Sequence, residues 1–220
     1  MTQAAVLTGD LIGSTEAGPE AVDQTIQLLH NAANDFAEIG NLSQPLKFTR
    51  YRGDGWQVAL HTGYLSFRLT AYMLARLRAS NLGLNTRIGI GLGSIESTGT
   101  SDLRNARGTA FINSGRALDS LGSSSGLALL PAENSVSVWF EAGLETLLYL
   151  SNRWSVEQAQ AIAVSVTKGR FKREFKLDDY PPLVDLAKTL NISRQALSSR
   201  LAVAGEKPIM AAIRAAEATL

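Results

Sequence analysis

Two aspartates that lie next to glycines are the residues of this sequence best suited to chemistry. Asp10 follows the apolar run Ala4–Thr8 within the stretch Gly9–Gly13, and Asp54 lies in a Gly-Asp-Gly turn between two apolar-rich runs. An acidic turn between glycines contributes little to a core, but it can hold a divalent cation near the phosphates of a ligand. If the two segments are neighbours in one sheet, the carboxylates converge and can bind Mg²⁺ or Mn²⁺. The alternative is that both are ordinary turn residues, with Asp10 capping a loop.

Basic side chains elsewhere in the sequence could complete a phosphate site. Arg116 lies two turns into a helix that Gly108 opens, and the free N–H groups at such a helix start favour anions. Arg50 and Arg52 flank the hairpin turn, and a guanidinium group can bind two phosphate oxygens at once. A metal ion held there could polarise a phosphoryl group or activate a hydroxyl. Arg116 could equally be a surface residue of an amphipathic helix.

The elements that would position these residues alternate between strands and helices as far as Leu130. Their order is β-α-β-β-α-β-α-β, and a β-α-β-β-α-β core is the split βαβ, or ferredoxin-like, arrangement of an α+β fold. The middle hairpin of this arrangement would place Asp54 beside the end of the first strand, where Asp10 lies. Hydrophobic spacing and glycine breaks predict strands at Ala4–Thr8, Leu46–Tyr51, Gly55–Leu60, Thr86–Leu92 and Leu127–Leu130, and helices at Glu20–Ile39, Tyr64–Ser80 and Gly108–Leu121.

From Val136 onward the pattern indicates helices only. We therefore predict two domains, residues 1–135 and residues 136–220, with a boundary near residue 153 as the alternative. A basic stretch with interleaved phenylalanines, Lys168–Lys176, is predicted to be a linker or a wing. The predicted helices are Val138–Leu150, Ser155–Thr167, Pro182–Leu190, Ser193–Ala204 and a last one that begins at Lys207.

The stretch Leu183–Leu201 has the spacing of a helix-turn-helix. Its apolar positions face inward, Ile192 fills the turn, and Ser193 can cap the second helix. The second helix of such a unit lies in the major groove of double-stranded DNA, so its exposed polar residues are candidates for contacts with bases and phosphates. The alternative is a helical unit used for dimerisation. The candidate DNA-binding residues are Ser193, Arg194, Gln195, Ser198, Ser199 and Arg200.

Composition excludes several kinds of site. The 220 residues include no cysteine and two histidines, so disulfides, zinc–thiolate sites, thiol nucleophiles and a histidine-rich metal site are ruled out. The N-terminus lacks the pattern of a signal peptide, and no apolar run is long enough to span a bilayer, so we expect a cytoplasmic protein without membrane contact. Residues 151–220 hold eleven basic and seven acidic residues, and this excess is consistent with nucleic-acid binding.

Three segments together resemble the class III nucleotidyl cyclase domain: Ala5–Thr15, then Arg50–Trp56, then Arg87–Gly93 followed by Gly108–Arg116. The chain is similar in particular to the SatD family, which has a Gly-Asp-x-Ile-x-Ser start, a Gly-Asp-x-x-Gln middle and a Gly-x-Ala-x-x-x-x-Arg helix. SatD-like proteins also often end with a helix-turn-helix segment. The resemblance covers roughly residues 4–120 in order and spacing.

The resemblance implies roles for individual residues. Asp10 and Asp54 would be metal ligands, with the backbone carbonyl of Leu11 as a third, and Arg116 would contact the phosphates of a nucleoside triphosphate. Arg50 falls where a base-contacting lysine often lies. If the chain is an enzyme, Asp10, Asp54 and Arg116 would be its catalytic residues. Because cyclase sites form between subunits, the resemblance also implies a head-to-tail homodimer.

Two positions depart from the cyclase pattern. Ile112 stands where cyclases have an asparagine that helps to hold the transition state, and Asn113 is one residue further along. One residue is a rotation of about 100° on a helix, so Asn113 should point elsewhere. Asn105 stands where cyclases commonly have an acidic residue that reads the base. These departures favour retained metal or nucleotide binding over cyclisation.

Three functions remain open on this basis. The first is a DNA-binding regulator whose cyclase-like domain senses a nucleotide or metal and forms the dimer. The second is an active Mg²⁺-dependent nucleotidyl cyclase with an accessory helical domain. The third is an adaptor that uses both parts for protein contacts. The altered asparagine and acidic positions favour the first.

Overall fold

The computed structural model of the chain describes residues 3–100, 102–122, 126–131, 138–168, 171 and 181–220. In this part of the chain, five strands form one sheet and helices surround it. The strands are β1 Ala4–Ile12, β2 Lys47–Tyr51, β3 Gly55–Leu60, β4 Asn85–Gly93 and β5 Leu127–Leu130. The helices are α1 Ser14–Ile39, α2 Ser66–Ser80, α3 Thr109–Ser120, α4 Val138–Ser151, α5 Val156–Val166, α6 Leu183–Thr189, α7 Arg194–Ala204 and α8 Glu206–Thr219.

The sheet has the order β2-β3-β1-β4-β5. Strand β3 lies between β1 and β2 and runs antiparallel to both, so β1 and β2 are parallel to each other. In the same way, β3 and β4 are parallel and are separated by β1. This is the predicted split βαβ arrangement, and β5 extends it by pairing in parallel with β4. The molecule is therefore a mixed α+β protein.

The two faces of the sheet are covered differently. The face that carries Leu7, Val58 and Ile90 packs against α1 and α2 in the main hydrophobic core. The opposite face carries Val6 and Ala59, which pack with Ala110 of α3 in a smaller cluster. Since α3 contacts β1, β4 and β5, it covers one side of this second face, and the side formed by β2 and β3 is covered in part by the short 3-10 helix Leu103–Asn105, which contacts β2.

Strand β1 is longer than the sequence predicted. The apolar run indicated an end at Thr8 followed by an acidic turn, but β4 pairs with β1 from Ala4 to Ile12. Asp10 therefore lies within the strand, opposite Arg87, and the prediction of a turn there is wrong. Helix α1 also begins earlier, at Ser14, and it continues past a non-helical residue at Gly18.

Strand β4 packs closely on α3 at two of its glycines. A Cβ atom added to Gly91 would lie 2.1 Å from the backbone nitrogen of Ser114 and 2.2 Å from the backbone oxygen of Ala110. Gly89 meets the same helix at similarly short distances. Side chains at these two positions would push α3 away from the sheet, so the helix rests directly on the strand backbone.

The helices after residue 138 join the main core. Helix α5 packs against α2, and α8 packs against α4. One buried ion pair crosses the interface: Arg68 of α2 donates from Nε and Nη2 to the carboxylate of Glu217 of α8, at 2.5 and 2.9 Å. Its Nη1 donates to the carbonyl of Val166 at 2.7 Å. The core is thus continuous across residue 135, and the predicted domain boundary there stays a prediction.

Helices α6 and α7 are joined by a short turn, and Ser193 caps α7 by accepting a hydrogen bond from the N–H of Ala196 at 3.1 Å. The basic stretch Lys168–Lys176 lies largely outside the described residues. Of its two described members, Lys168 donates to Glu206 at 2.8 Å, and Phe171 is buried against Phe36. No helix in the described ranges is long and apolar enough to cross a bilayer.

Candidate functional site

Asp10 lies on the face of the sheet that α3 partly covers, and it is held by Arg87. The guanidinium group of Arg87 donates from Nε and Nη2 to the two carboxylate oxygens, both at 2.6 Å. The neighbouring Gly9 leaves room for the ring of Trp56, since a Cβ at Gly9 would lie 2.4 Å from that ring. Trp56 donates to Thr86 at 3.1 Å, and Thr86 donates to the backbone oxygen of Asp10 at 2.7 Å. The position of Asp10 is therefore fixed from both sides.

Asp54 lies in the loop between β2 and β3 and is tied to the start of α1. The hydroxyl of Ser14, the first residue of that helix, donates to Oδ2 of Asp54 at 2.5 Å. A helix N-terminus favours negative charge, so this location suits a carboxylate. Pairing between β1 and β3 reaches Gly9 and Trp56, which brings the loop to the part of β1 that carries Asp10.

The charges of Asp10 and Asp54 both influence the pKa of Tyr51. Burial raises the pKa of Tyr51 above its ordinary value, and the charges of Asp10, Asp119 and Asp54 raise it further, while Arg52 opposes them. The pKa of Arg87 is raised mainly by its hydrogen bonds to Asp10, and Asp119 and Asp54 add to this. Asp10, Asp54 and Asp119 of α3 thus all influence the pKa values of Tyr51 and Arg87, and a shared metal site of Asp10 and Asp54 stays a prediction.

The donor set at this end of the sheet fits a hard divalent cation only in part. Two carboxylates, the hydroxyl of Ser14 and the carbonyl of Leu11 are all oxygen donors, which Mg²⁺ and Mn²⁺ prefer. In the part of the chain that the structure describes, no group of three or more His, Cys, Asp or Glu residues could hold a metal ion. Mg²⁺ is commonly held by one or two carboxylates together with phosphate oxygens. Because both oxygens of Asp10 already accept hydrogen bonds from Arg87, a cation bound here would have to share Asp10 with Arg87.

A cavity of about 640 Å³ lies on the half of the sheet face that α3 leaves uncovered, and neither Asp10 nor Asp54 is among its lining residues. Its floor is polar: Gln57 donates to the hydroxyl of Thr8 at 3.1 Å, and that hydroxyl is 2.7 Å from the hydroxyl of Ser114. Hydroxyl and amide groups on a sheet face can bind the polar edge of a ligand. The cavity is lined by Thr8, Thr49, Arg50, Tyr51, Arg52, Gln57, Leu103, Arg104, Ala106, Phe111 and Gly115.

The predicted phosphate-binding residues are placed apart from Asp10 within one chain. Arg50 pairs with Asp23 at 2.7 Å and donates to the backbone oxygen of Gly53, so it braces the hairpin. Arg116 is exposed and forms no hydrogen bond or ion pair with the described residues. Gly108 lies near Ser94, at the opposite end of the sheet from Asp10.

The start of α3 offers fewer free donors than its glycine suggested. The N–H of Ala110 donates to the carbonyl of Ser94 at 3.1 Å, and the N–H of Thr109 donates to the hydroxyl of Ser94 at 3.4 Å. Gly108 instead permits a close approach, because a Cβ there would lie 2.2 Å from that same carbonyl. The first N–H groups of α3 are thus already paired within the protein.

The side-chain amide of Asn113, which follows Ile112, is engaged within the protein. The amide of Asn113 donates to the carbonyls of Leu92 and Pro131 at 2.9 and 3.1 Å. Ile112 takes the outward position one turn before Arg116 and is 55% exposed. Asn105 is exposed at the end of a short 3-10 helix beside the cavity. Ile112, at the position to which the sequence resemblance would assign an amide, is thus an exposed apolar residue.

The helix α7 has a buried apolar side, and its exposed side carries polar residues in the first two turns and Ala202 and Val203 near its end. Leu197 is fully buried and Leu201 is 5% exposed, and they pack toward α5, α6 and α8. Arg200 is half-buried. The remaining polar residues predicted to contact DNA are all exposed: Ser193, Arg194, Gln195, Ser198 and Ser199.

Several residues of the site were missed by sequence reasoning. Arg87 begins one of the cyclase-like segments, and a charged residue in an otherwise apolar strand could have indicated a role at the site. Tyr51 is at the end of the hairpin strand and Ser14 follows Gly13, so both were close to predicted residues. Asp119 lies three residues after Arg116, which places it about one turn further along α3.

Comparisons with known proteins give similarities of structure only. No protein-family model matches the chain, and no curated protein is similar to it. Its structure is similar to that of the guanylyl cyclase Cya2, with 16% identity, a TM-score of 0.38, and coverage of 54% of this chain and 70% of that one. It is also similar to a bacterial light-regulated adenylyl cyclase, with 17% identity, a TM-score of 0.41, and coverage of 59% and 75%. No conclusion about function follows from similarities of this size.

Proposed function

We propose that this chain is a DNA-binding regulator whose α+β part binds a divalent cation together with a nucleoside triphosphate and acts as sensor and dimerisation module. The observation that carries the proposal is the division of α7 into a buried apolar side and an exposed side whose first two turns carry polar residues, including Arg194 and Gln195. Side chains of these types contact guanine and adenine edges in the major groove. The capped start of α7 at Ser193 presents them at the exposed end of the helix.

We expect the protein to retain a random-sequence DNA duplex in a salt-dependent manner. Non-specific complexes have dissociation constants of roughly 1–100 μM at physiological salt and weaken steeply as salt rises. Replacing Arg194 with alanine should weaken binding and reduce the slope of log K against log salt by about 1, because one phosphate or base contact is lost. Fluorescence anisotropy with a labelled duplex between about 50 and 200 mM salt measures both quantities.

The matched control is Arg153→Ala. Arg153 is an exposed arginine of the same helical part, but it lies over the ring of Tyr149, 3.6 Å from its centroid, and not on α7. Its replacement should leave the affinity and the salt slope unchanged. Equal losses in both variants, or no retention of DNA at low salt, would contradict DNA binding through α7.

The sensor half of the proposal rests on the acidic end of the sheet. Asp10 and Asp54 both influence the pKa values of Tyr51 and Arg87 there, and the lining of the polar cavity includes Thr8 and Arg52 from the two segments that carry them. A cation site formed by the two aspartates would need phosphate oxygens to be complete. The outward Ile112 removes an amide that cyclisation would use. The sequence resemblance to cyclases supports a nucleotide as the ligand, and the exposed Arg116 would reach the phosphates from a second copy of the chain.

We expect Mg²⁺ or Mn²⁺ with a matching nucleoside triphosphate to raise Tm, whereas the cation alone should do so weakly. A ligand at about 100 times its Kd stabilises by about 2.7 kcal/mol, which corresponds to roughly 5–10 °C for a chain of this size. Asp54→Asn should remove the shift. Asp54 is the better choice because replacing Asp10 would also leave Arg87 without its partner.

The control for this experiment is Asp185→Asn, since Asp185 is an exposed residue of α6 that pairs with Lys188. It should keep the full shift. Analysis of the nucleotide after incubation separates the two readings of the site. Unchanged nucleotide supports a sensor. A cyclic product that disappears in Asp54→Asn would make the chain an active cyclase. This second candidate is favoured by Asp10 and Asp54, which both influence Tyr51 and Arg87 at the same end of the sheet. Absence of any shift would contradict both.

A further inference from the structure

A second cavity lies on the other side of the molecule, among helices. It has a volume of about 410 Å³ and is formed by α1, α2 and α5, with the end of α6 at its rim. Ligand sites in proteins are typically clefts of about 300–1,000 Å³ with a mostly apolar lining and a few polar groups. This cleft has that composition. It is lined by Leu28, Ile39, Tyr72, Arg76, Ala79, Ser80, Gln160, Ala163, Val164, Thr167 and Leu190.

The polar end of the cleft holds hydrogen-bond donors for which no described residue is an acceptor. Arg76 uses only Nη1, which donates to Asp35 at 2.5 Å and to the hydroxyl of Tyr72 at 2.6 Å. Its Nε and Nη2 groups have no acceptor within the described ranges. The side chain of Tyr72 is 3% exposed, and its hydroxyl accepts from Arg76 without donating to any residue that the structure describes. The hydroxyl of Tyr72 thus has one partner, Arg76, and its own proton is available to an acceptor in the cleft that Tyr72 lines.

The surroundings of Tyr72 and Arg76 raise the pKa of both side chains. Burial raises the pKa of Tyr72 above its ordinary value despite the opposing charge of Arg76, so the hydroxyl keeps its proton at neutral pH. The hydrogen bond to Asp35 and the contact with Tyr72 raise the pKa of Arg76 although burial opposes this. The cleft therefore offers one cationic group and one neutral hydroxyl donor side by side.

We propose that this cleft binds a small amphipathic monocarboxylate. The carboxylate would accept hydrogen bonds from the free edge of Arg76 and from the hydroxyl of Tyr72, in the geometry that makes guanidinium–carboxylate pairs strong. The apolar body would lie against Leu28, Val164 and Leu190. This site is separate from the acidic end of the sheet, and the inference does not depend on the proposed function.

The charge balance favours a monocarboxylate over a phosphate ester. Asp35, whose side chain is 43% exposed, already neutralises part of the charge of Arg76. Because Arg76 and Asp35 together carry no net charge, a bound monocarboxylate leaves the cluster at −1, whereas a dianionic phosphate leaves it at −2, which is less favourable. The largely aliphatic lining likewise suits a hydrocarbon or aromatic body better than a sugar.

Isothermal titration calorimetry with two probes, 2-naphthoate and decanoate, tests the proposal. We expect at least one of them to bind with one site per chain, and the neutral 2-naphthylmethanol or decanol of the same shape to bind about tenfold more weakly or worse, because a charge-assisted hydrogen bond is lost. Arg76→Gln should weaken the carboxylate about tenfold. Asp35→Asn should strengthen it several-fold, because it removes a competing negative charge.

Two further variants keep the test decisive. Arg153→Gln removes an exposed arginine that does not line the cleft and should leave the affinity unchanged, which separates a specific site from general attraction to a basic surface. Ala79→Phe fills the cleft from its α2 wall and should abolish binding while Tm and the circular dichroism spectrum stay native. No saturable binding of either probe, equal affinity for the neutral analogues, or unchanged affinity in both Arg76→Gln and Ala79→Phe would overturn the proposal.

Discussion

Replacing Glu217 with leucine is expected to lower the free energy of unfolding by about 3–5 kcal/mol, because it leaves the charge of Arg68 buried without a partner. The side chains of Arg68 and Glu217 are 1% and 4% exposed, so water cannot compensate the loss. Arg68→Met should have a similar effect by leaving the carboxylate unpaired. Urea unfolding followed by circular dichroism measures both changes.

The double variant Arg68→Met/Glu217→Leu separates the effect of pairing from the effect of volume. Two apolar residues of similar size often replace a buried ion pair with little loss, so the double variant should recover most of the stability. About 1 kcal/mol should remain lost, because the carbonyl of Val166 no longer receives its hydrogen bond from Arg68. Lys188→Met, which breaks an exposed ion pair of α6, should change stability by less than about 0.5 kcal/mol. Additive single losses in the double variant would contradict the coupling.

Gly91→Ala is expected to destabilise the protein by about 3 kcal/mol, at the upper end of the range for overpacked positions. The added methyl group would meet backbone atoms of Ser114 and Ala110 in α3 at little more than 2 Å. Because those atoms belong to a helix backbone, no side-chain rotation can relieve the contact, and α3 must move away from the sheet. The measurement is again urea unfolding, and failure to obtain folded protein would agree with the expectation.

Gly115→Ala is the matched control on the same helix. A Cβ at Gly115 would meet nothing within 4 Å, and alanine is favoured over glycine within a helix by about 0.5–1 kcal/mol. This variant should therefore be slightly more stable than the natural chain. If both glycine variants behaved alike, the close packing of α3 on β4 would be wrong.

Local patterns were sufficient for most of the fold. The hairpin around Asp54 could be predicted because the Gly-Asp-Gly turn and its apolar flanks are contiguous, and β3 begins and ends at the predicted residues. Strand β5 was predicted with its observed bounds, Leu127–Leu130, because glycine and proline delimit it.

Distant pairings account for what could not be predicted. The Gly9–Asp10 pair looks like a turn in isolation, but nine pairs with β4 extend the strand through it, so tertiary pairing outweighs the local signal. The partner of Asp10 is 77 residues away in the chain, and nothing in the sequence specifies the register that brings Arg87 opposite it. The same holds for Arg68 and Glu217, which are 149 residues apart in the chain.

The three tryptophans give the molecule its own optical labels. Trp56 is fully buried beside Gly9 and is linked through Thr86 to the backbone of Asp10, so its emission reports on the acidic end of the sheet. Trp154 is buried among the helices, where its indole donates to the carbonyl of Ala204 at 2.9 Å. Trp139 is 80% exposed and is the one that a soluble quencher such as acrylamide reaches. When Trp139 is quenched, the remaining emission comes from Trp56 in the sheet and Trp154 in the helical part, so both parts can be followed without an added dye.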